Sequence, residues 1–271
     1  MNLLKRIVTS VILLPLVFVG IQYLPRLGFF CFIQIFILAS ILEFYNLPRK
    51  KKLFPVKTVG IFFALLISAT FYFEKFPLQF AVFIGLFFMG IYYLFTINDI
   101  DKLVQFPASI ALTFFGGFFI SFTLNHFNLL RDEYGPYYIY FILAVIFSGD
   151  IGAFLIGKKW GKHKLAPLAS PKKTWEGCFA GLFTAMLTGA AVQQLFLSDQ
   201  MSLWQGIVFA FLVNAVAQMS DPIESLFKRA AGIKDSSNLL PGHGGFLDRI
   251  DSLILAAPFF YYFLKYFRLN L

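Results

Sequence analysis

The chain reads as an all-α, polytopic transmembrane protein with about nine membrane spans, and three observations predict it. Of its 271 residues, 59% are hydrophobic and only 14% are charged. A soluble domain of this length would carry a charged skin of roughly a quarter of its residues. The mean hydropathy is +0.75. Apolar runs of about 20 residues, enough for a helix to cross the hydrocarbon core, recur along the whole chain.

Nine such runs fall near residues 6–24, 27–47, 56–74, 76–97, 107–130, 136–157, 177–197, 203–220 and 250–268. The first follows Lys5 and Arg6 but has no small-residue cleavage site after it, so it reads as a retained signal anchor. Only the Glu74–Lys75 turn separates the third run from the fourth. The longest polar stretches, 158–176 and 221–249, are too short to build a core of their own. This divides the chain into residues 1–134, a region for helix packing, dimer contacts or holding acyl chains, and residues 135–271, the region that carries the chemistry.

With the N-terminus in the cytoplasm, all but Arg26, Lys75, Arg131, Lys265 and Arg268 of the 23 Lys and Arg residues lie inside. Both long polar stretches then face the cytoplasm, which fits an integral protein of a bacterial plasma membrane. The net charge of +9 sits in short loops, a pattern suited to lipid headgroups or a phosphorylated substrate and not to nucleic acid. Cys31 and Cys178 lie within apolar runs and form neither a metal spacing nor a disulfide framework.

The densest polar information runs from Ser220 to Asp251. Pro222 after Ser220 and Asp221 predicts a break in the helix there, with a short interfacial helix ending at Gly232. The segment Pro241-Gly242-His243-Gly244-Gly245 cannot be regular structure, and its glycines allow backbone amides to approach an anion. Asp248, Arg249 and Asp251 open the last helix, with the two aspartates on one face. Charges near membrane depth need partners. A divalent cation for the carboxylates and a phosphate for Arg249 would supply them.

Upstream, Lys158, Lys159, Lys162, Lys164, Lys172 and Lys173 make a basic, flexible loop, and Asp150 precedes it inside an apolar helix. Gly152 to Lys158 spells the start of a phosphate-binding P-loop. Lys159 stands where Ser or Thr is needed, and the preceding run is a membrane helix, so that reading fails.

The stretch from Ser225 to Asp251 resembles the signature of the phosphatidate cytidylyltransferases, the CDP-diacylglycerol synthases. It matches at Ser225, Lys228, Arg229, Lys234, Asp235, His243, Gly244, Gly245, Asp248, Arg249 and Asp251. Ser170-Pro171-Lys172-Lys173-Thr174 and Glu176-Gly177 resemble the same family. The resemblance covers roughly the last half of the chain. It implies a homodimeric, all-helical, Mg2+-dependent membrane enzyme that joins CTP to phosphatidic acid, giving CDP-diacylglycerol and pyrophosphate.

On that reading Asp221, Asp248 and Asp251 gather at Mg2+, with room for a second cation, and Lys172, Lys173 and Arg249 serve the reacting phosphates. Ser170, Lys228, Arg229, Lys234, Asp235, His243, Gly244 and Gly245 bind substrate. The attacking phosphate is already ionised near neutral pH, so no general base is required. His126 near the end of the fifth run reads as an interhelical hydrogen-bonding residue, and Glu43 as a structural one paired with Arg49 or a neighbouring helix. Two other functions compete: a CTP-dependent lipid kinase that transfers the γ-phosphate, and an anion transporter. The transporter reading lacks an inverted repeat of broken helices.

Overall fold

The computed structural model describes residues 3–47, 53–237, 239 and 244–267. The chain splits into two compact units, Met1–Asn128 with Ala230–Arg249, and Leu129–Arg229 with Ile250–Leu271. Among the described residues the architecture is α-helical apart from one two-stranded sheet.

The first unit holds α1 (Leu3–Tyr23), α2 (Arg26–Phe44), α3 (Lys57–Tyr72), α4 (Leu78–Thr96) and α5 (Ile100–Leu124). Proline sets two of the starts: Pro25 and Pro77 hold extended backbone immediately before α2 and α4. Asp99 starts α5 by accepting the Lys102 amide at 2.7 Å. Phe114, Phe118 and Phe122 stack one turn apart along α5, with centroids 5.6 and 5.2 Å apart. They pack on a core of Phe63, Ile67, Ala81 and Met89 from α3 and α4.

Lipid tails are as apolar as leucine, so membrane helices associate through close approach and hydrogen bonds. Both devices are present. A Cβ on Gly85 of α4 would lie 2.1 Å from the Phe63 ring, so only glycine admits that ring. Thr113 Oγ1 pairs with Tyr93 Oη at 2.9 Å and accepts the Val56 amide at 3.0 Å. Asn125 Oδ1 accepts from Gln34 Nε2 at 3.1 Å and from Asn128 Nδ2 at 3.0 Å, while its amide donates to Ser68. His126 Nδ1 pairs with Phe122 O at 2.8 Å.

α6 (His126–Tyr134) carries the chain into the second unit, which contains α7 (Pro136–Trp160), β1 (Lys164–Ala166), β2 (Ser170–Thr174), α8 (Trp175–Val192) and α9 (Leu203–Ala230). A π-turn, Gln193–Leu197, extends α8. The last helix, α10 (Leu247–Phe267), belongs to this unit from Ile250 onward. α7 and α8 touch backbone to backbone: a Cβ on Gly177 would lie 2.7 Å from Ala153 O. Asn214 of α9 donates to Val145 O of α7 at 3.3 Å, and Gln218 donates to Cys178 O of α8 at 3.1 Å.

Two sequence expectations are corrected. α9 runs unbroken from Leu203 to Ala230 through Asp221 and Pro222. Proline withholds the hydrogen bond owed to Gln218 O, but Lys173 Nζ stands 3.5 Å from that carbonyl and offers it a donor. The predicted stop at Gly232 does hold, with φ +73. The lysine-rich stretch is not a flexible loop but an antiparallel hairpin, pairing Lys164 with Thr174 and Ala166 with Ser170. Glu176 fixes its base by accepting the Lys162 amide at 3.1 Å and pairing with His163 Nδ1 at 2.6 Å.

Among the described residues, six helical stretches are long and apolar enough to cross a membrane: Arg26–Phe44, Leu78–Thr96, Ile100–Tyr134, Pro136–Trp160, Trp175–Leu197 and Leu203–Ala230. The sequence expectation was nine. Lys57–Tyr72 has only 16 residues, about 24 Å at the helical rise, against a hydrocarbon core of about 30 Å. α10 carries Asp248, Arg249 and Asp251 in its first turns.

Candidate active site

Charged side chains collect in the second unit where β2, α7, α9 and α10 contribute them. β2 alternates its side chains, so Lys172 is exposed while Lys173, on the other face, is half-buried. Lys173 Nζ lies 2.9 Å from Asp221 Oδ2. The other carboxylate oxygen of Asp221 accepts from Ser225 Oγ at 3.2 Å, one helical turn on. Ser220 donates to Asp251 O and accepts the Leu255 amide at 3.4 Å, which fastens α9 to α10 beside both aspartates.

Asp251 feels the charges of Asp221, Lys228 and Glu224, and Asp150 those of Lys173 and Asp221. Lys228 and Glu224 form a buried pair at 2.5 Å. Arg229 Nε donates to Ala169 O at 3.3 Å and ties the hairpin to α9. Two ion pairs anchor the neighbourhood, Lys173–Asp221 and Lys228–Glu224, with Asp150 and Asp251 within reach of their charges. Like charges brought near one another repel unless something positive joins them. Carboxylates are the donor type that a divalent cation would take. Among the described residues, no three His, Cys, Asp or Glu side chains stand close enough to hold a metal unaided.

The first unit holds the rest of the motif. Asp248 Oδ2 accepts from Ser236 N at 2.9 Å and Gly245 N at 2.9 Å, and Ser236 Oγ stands 3.0 Å from it. Gly244 adopts φ +83, a conformation that favours glycine. A Cβ on Gly245 would come within 2.3 Å of Glu43 Oε2 and 2.0 Å of Ser236 Oγ. Lys234, Asp235 and Arg249 are exposed, as is Arg229 in the second unit. Ser170 is half-buried on β2. His243 lies outside the described residues, and so do Pro241 and Gly242.

The structure thus brings Lys173 and Asp221 together near Asp251, sets Lys172 on the opposite face of its strand, and ties Asp248 to the Ser236 and Gly245 amides of the first unit. Two carboxylates were undervalued from the sequence. Glu224 shares a helical face with Lys228 at i, i+4, a spacing that was legible. Glu43 sits in the last turn of α2, where the helix dipole disfavours an acid. That misfit was the available signal.

Comparison with known proteins adds the family. The model of the cytidylyltransferase family matches residues 4–267. A phosphatidate cytidylyltransferase of Haemophilus influenzae is 41% identical over 146 residues, 52% of this chain and 49% of that protein. One of Bacillus subtilis is 40% identical over 151 residues, 55% of this chain and 56% of its own length. One of Pseudomonas aeruginosa is 46% identical over 119 residues, 44% of each. The chain spans about half the length of the curated relatives it matches.

Proposed function

The chain belongs to the cytidylyltransferase family, and we propose that within it this protein is a phosphatidate cytidylyltransferase, moving CMP from CTP to phosphatidic acid to give CDP-diacylglycerol and pyrophosphate. The observation that carries the reading is the Lys173–Asp221 pair at 2.9 Å, set beside Asp251 among helices apolar enough for a bilayer. The same names on relatives at about 40% identity support it.

The phosphate of phosphatidic acid attacks the α-phosphorus of CTP in line, and the bond to the β,γ-pyrophosphate breaks. Two anions must meet, so neutralising charge is the main task of the site. Asp221 and Asp251 are the side chains that would hold Mg2+, which when bound screens the nucleotide phosphates. Lys173 holds Asp221 in place and offers its charge to a phosphate oxygen. Lys228 balances Glu224, which leaves Asp251 free to face a cation. Asp248 and Arg249 follow from the motif and are tested by the same assay.

We further propose nine crossings, with α1, α3 and α10 joining the six, in a homodimer of a bacterial plasma membrane with the charged cluster facing the cytoplasm. CTP labelled at the α-phosphorus, incubated with phosphatidic acid and Mg2+, is expected to put label into a CDP-lipid and to release pyrophosphate. Label recovered as soluble CDP with a newly phosphorylated lipid would establish the kinase instead. Uptake into vesicles without CTP consumption would establish the transporter.

A further inference from the structure

We propose that Glu43 is a positioning residue for this reaction: its carboxylate ties Ser236 and Ser237 to Phe246 and Leu247 and thereby fixes the carboxylate of Asp248. The inference rests on the proposed cytidylyl transfer and adds to it a residue from α2, far outside the signature.

The geometry is specific. Glu43 is buried, with 5% of its surface exposed. Its Oε1 accepts from Ser237 Oγ at 2.6 Å and from the Phe246 amide at 3.0 Å. Its Oε2 accepts from Ser236 Oγ at 2.8 Å and from the Leu247 amide at 2.9 Å. Each oxygen therefore receives one hydroxyl and one backbone N–H. The two amides open α10, where a helix leaves donors that a neighbouring Ser or Asp usually satisfies. Here the cap comes from a residue more than 200 positions earlier in the chain.

The clamp connects directly to Asp248. Ser236 Oγ lies between Glu43 Oε2 and Asp248 Oδ2, and the Ser236 and Gly245 amides both point at Asp248 Oδ2. Gly245 must lack a side chain for Glu43 and Ser236 to meet beside it. A residue needed only to fill space at the end of α2 would be apolar, since a buried carboxylate is costly unless its lone pairs are engaged. Glu43 spends these four bonds on the one segment that carries the motif.

The chemistry predicts an unusual intolerance. Glutamine has the same shape, but it must turn an NH2 toward either the Phe246 or the Leu247 amide, donor against donor. Glu43→Gln should therefore open the turn while α2 stays folded.

The test compares the purified full chain with Glu43→Gln and Glu43→Asp in lipid nanodiscs. We expect Glu43→Gln to lower kcat on the order of 100-fold, the scale at which small misplacements of a reacting group act. The KM for CTP should stay near that of the parent, and Glu43→Asp should recover part of kcat. Amide hydrogen exchange should speed up in peptides covering residues 234–250 and stay unchanged in those covering α3 to α5. Unaltered kcat or unaltered exchange in Glu43→Gln would overturn the proposal. So would a loss of activity that merely tracks loss of folded protein on thermal unfolding. The parent's own turnover is measured first: a parent that makes no CDP-lipid sinks the proposed function, whereas a working parent with an equally active Glu43→Gln variant sinks this inference alone.

Discussion

The α3–α5 bundle of the first unit and the charged cluster of the second treat polar side chains in opposite ways. Between α3, α4 and α5 the buried polar groups are neutral: Thr113, Tyr93, Ser68, Ser121 and Asn125 bond to one another or to backbone. In the second unit the polar groups of β2, α7 and α9 include Lys173, Asp150, Asp221, Glu224 and Lys228. Neutral hydrogen bonds inside a membrane stabilise helix contacts modestly. Ionised groups are expensive there and are retained where something charged must be bound. The first pattern is how helices hold together, and the second is how the proposed site would hold phosphate.

The comparison breaks most sharply at the aspartates. Asp221→Asn, Asp251→Asn and Asp248→Asn should each remove cytidylyl transfer by roughly 1,000-fold or more, the scale seen when a charge-stabilising group is lost. Thermal unfolding in detergent should stay near that of the parent. Wild-type turnover in an Asp221→Asn variant would dissolve the distinction between the units. Next in size, Lys173→Met should cost about 100-fold in kcat, whereas Lys172→Met, on the exposed face of β2, should leave kcat close to the parent. Equal losses in the two variants would show that strand alternation does not sort them. Smallest is Thr113→Val, which removes the hydroxyl that serves Tyr93 and the Val56 amide. It should lower stability by about 0.6–1.7 kcal/mol, the range of such bonds in membrane proteins, and leave turnover untouched. A kinetic effect without a stability effect would reverse the assignment of that region.

How much of this was legible follows from which interactions are local. Apolar runs and prolines gave nearly every helix, because length and hydropathy are properties of the segment itself. The start of α10 was visible in Asp248, Arg249 and Asp251 for the same reason. Pro222 misled because its missing hydrogen bond is compensated from the hairpin, 45 residues away in the chain. The hairpin misled because its strands are short and basic, without the alternation that marks a half-buried strand; its order comes from Glu176 gripping Lys162 and His163. Glu43 could not be paired from sequence at all, since its four donors lie 193 to 204 residues further on. Of the candidate site, the residue types were readable and the grouping was not.

Pro222 has one more consequence. An imino acid inside α9 leaves a lone pair at Gln218 with no helical donor, and this electron-rich notch opens beside the aspartate that follows three positions later. A flexible lysine arm reaching toward the notch is drawn from many rotamers into the few that also meet Asp221. The helix gives up one rung of its ladder, and in exchange the ammonium group arrives already aimed.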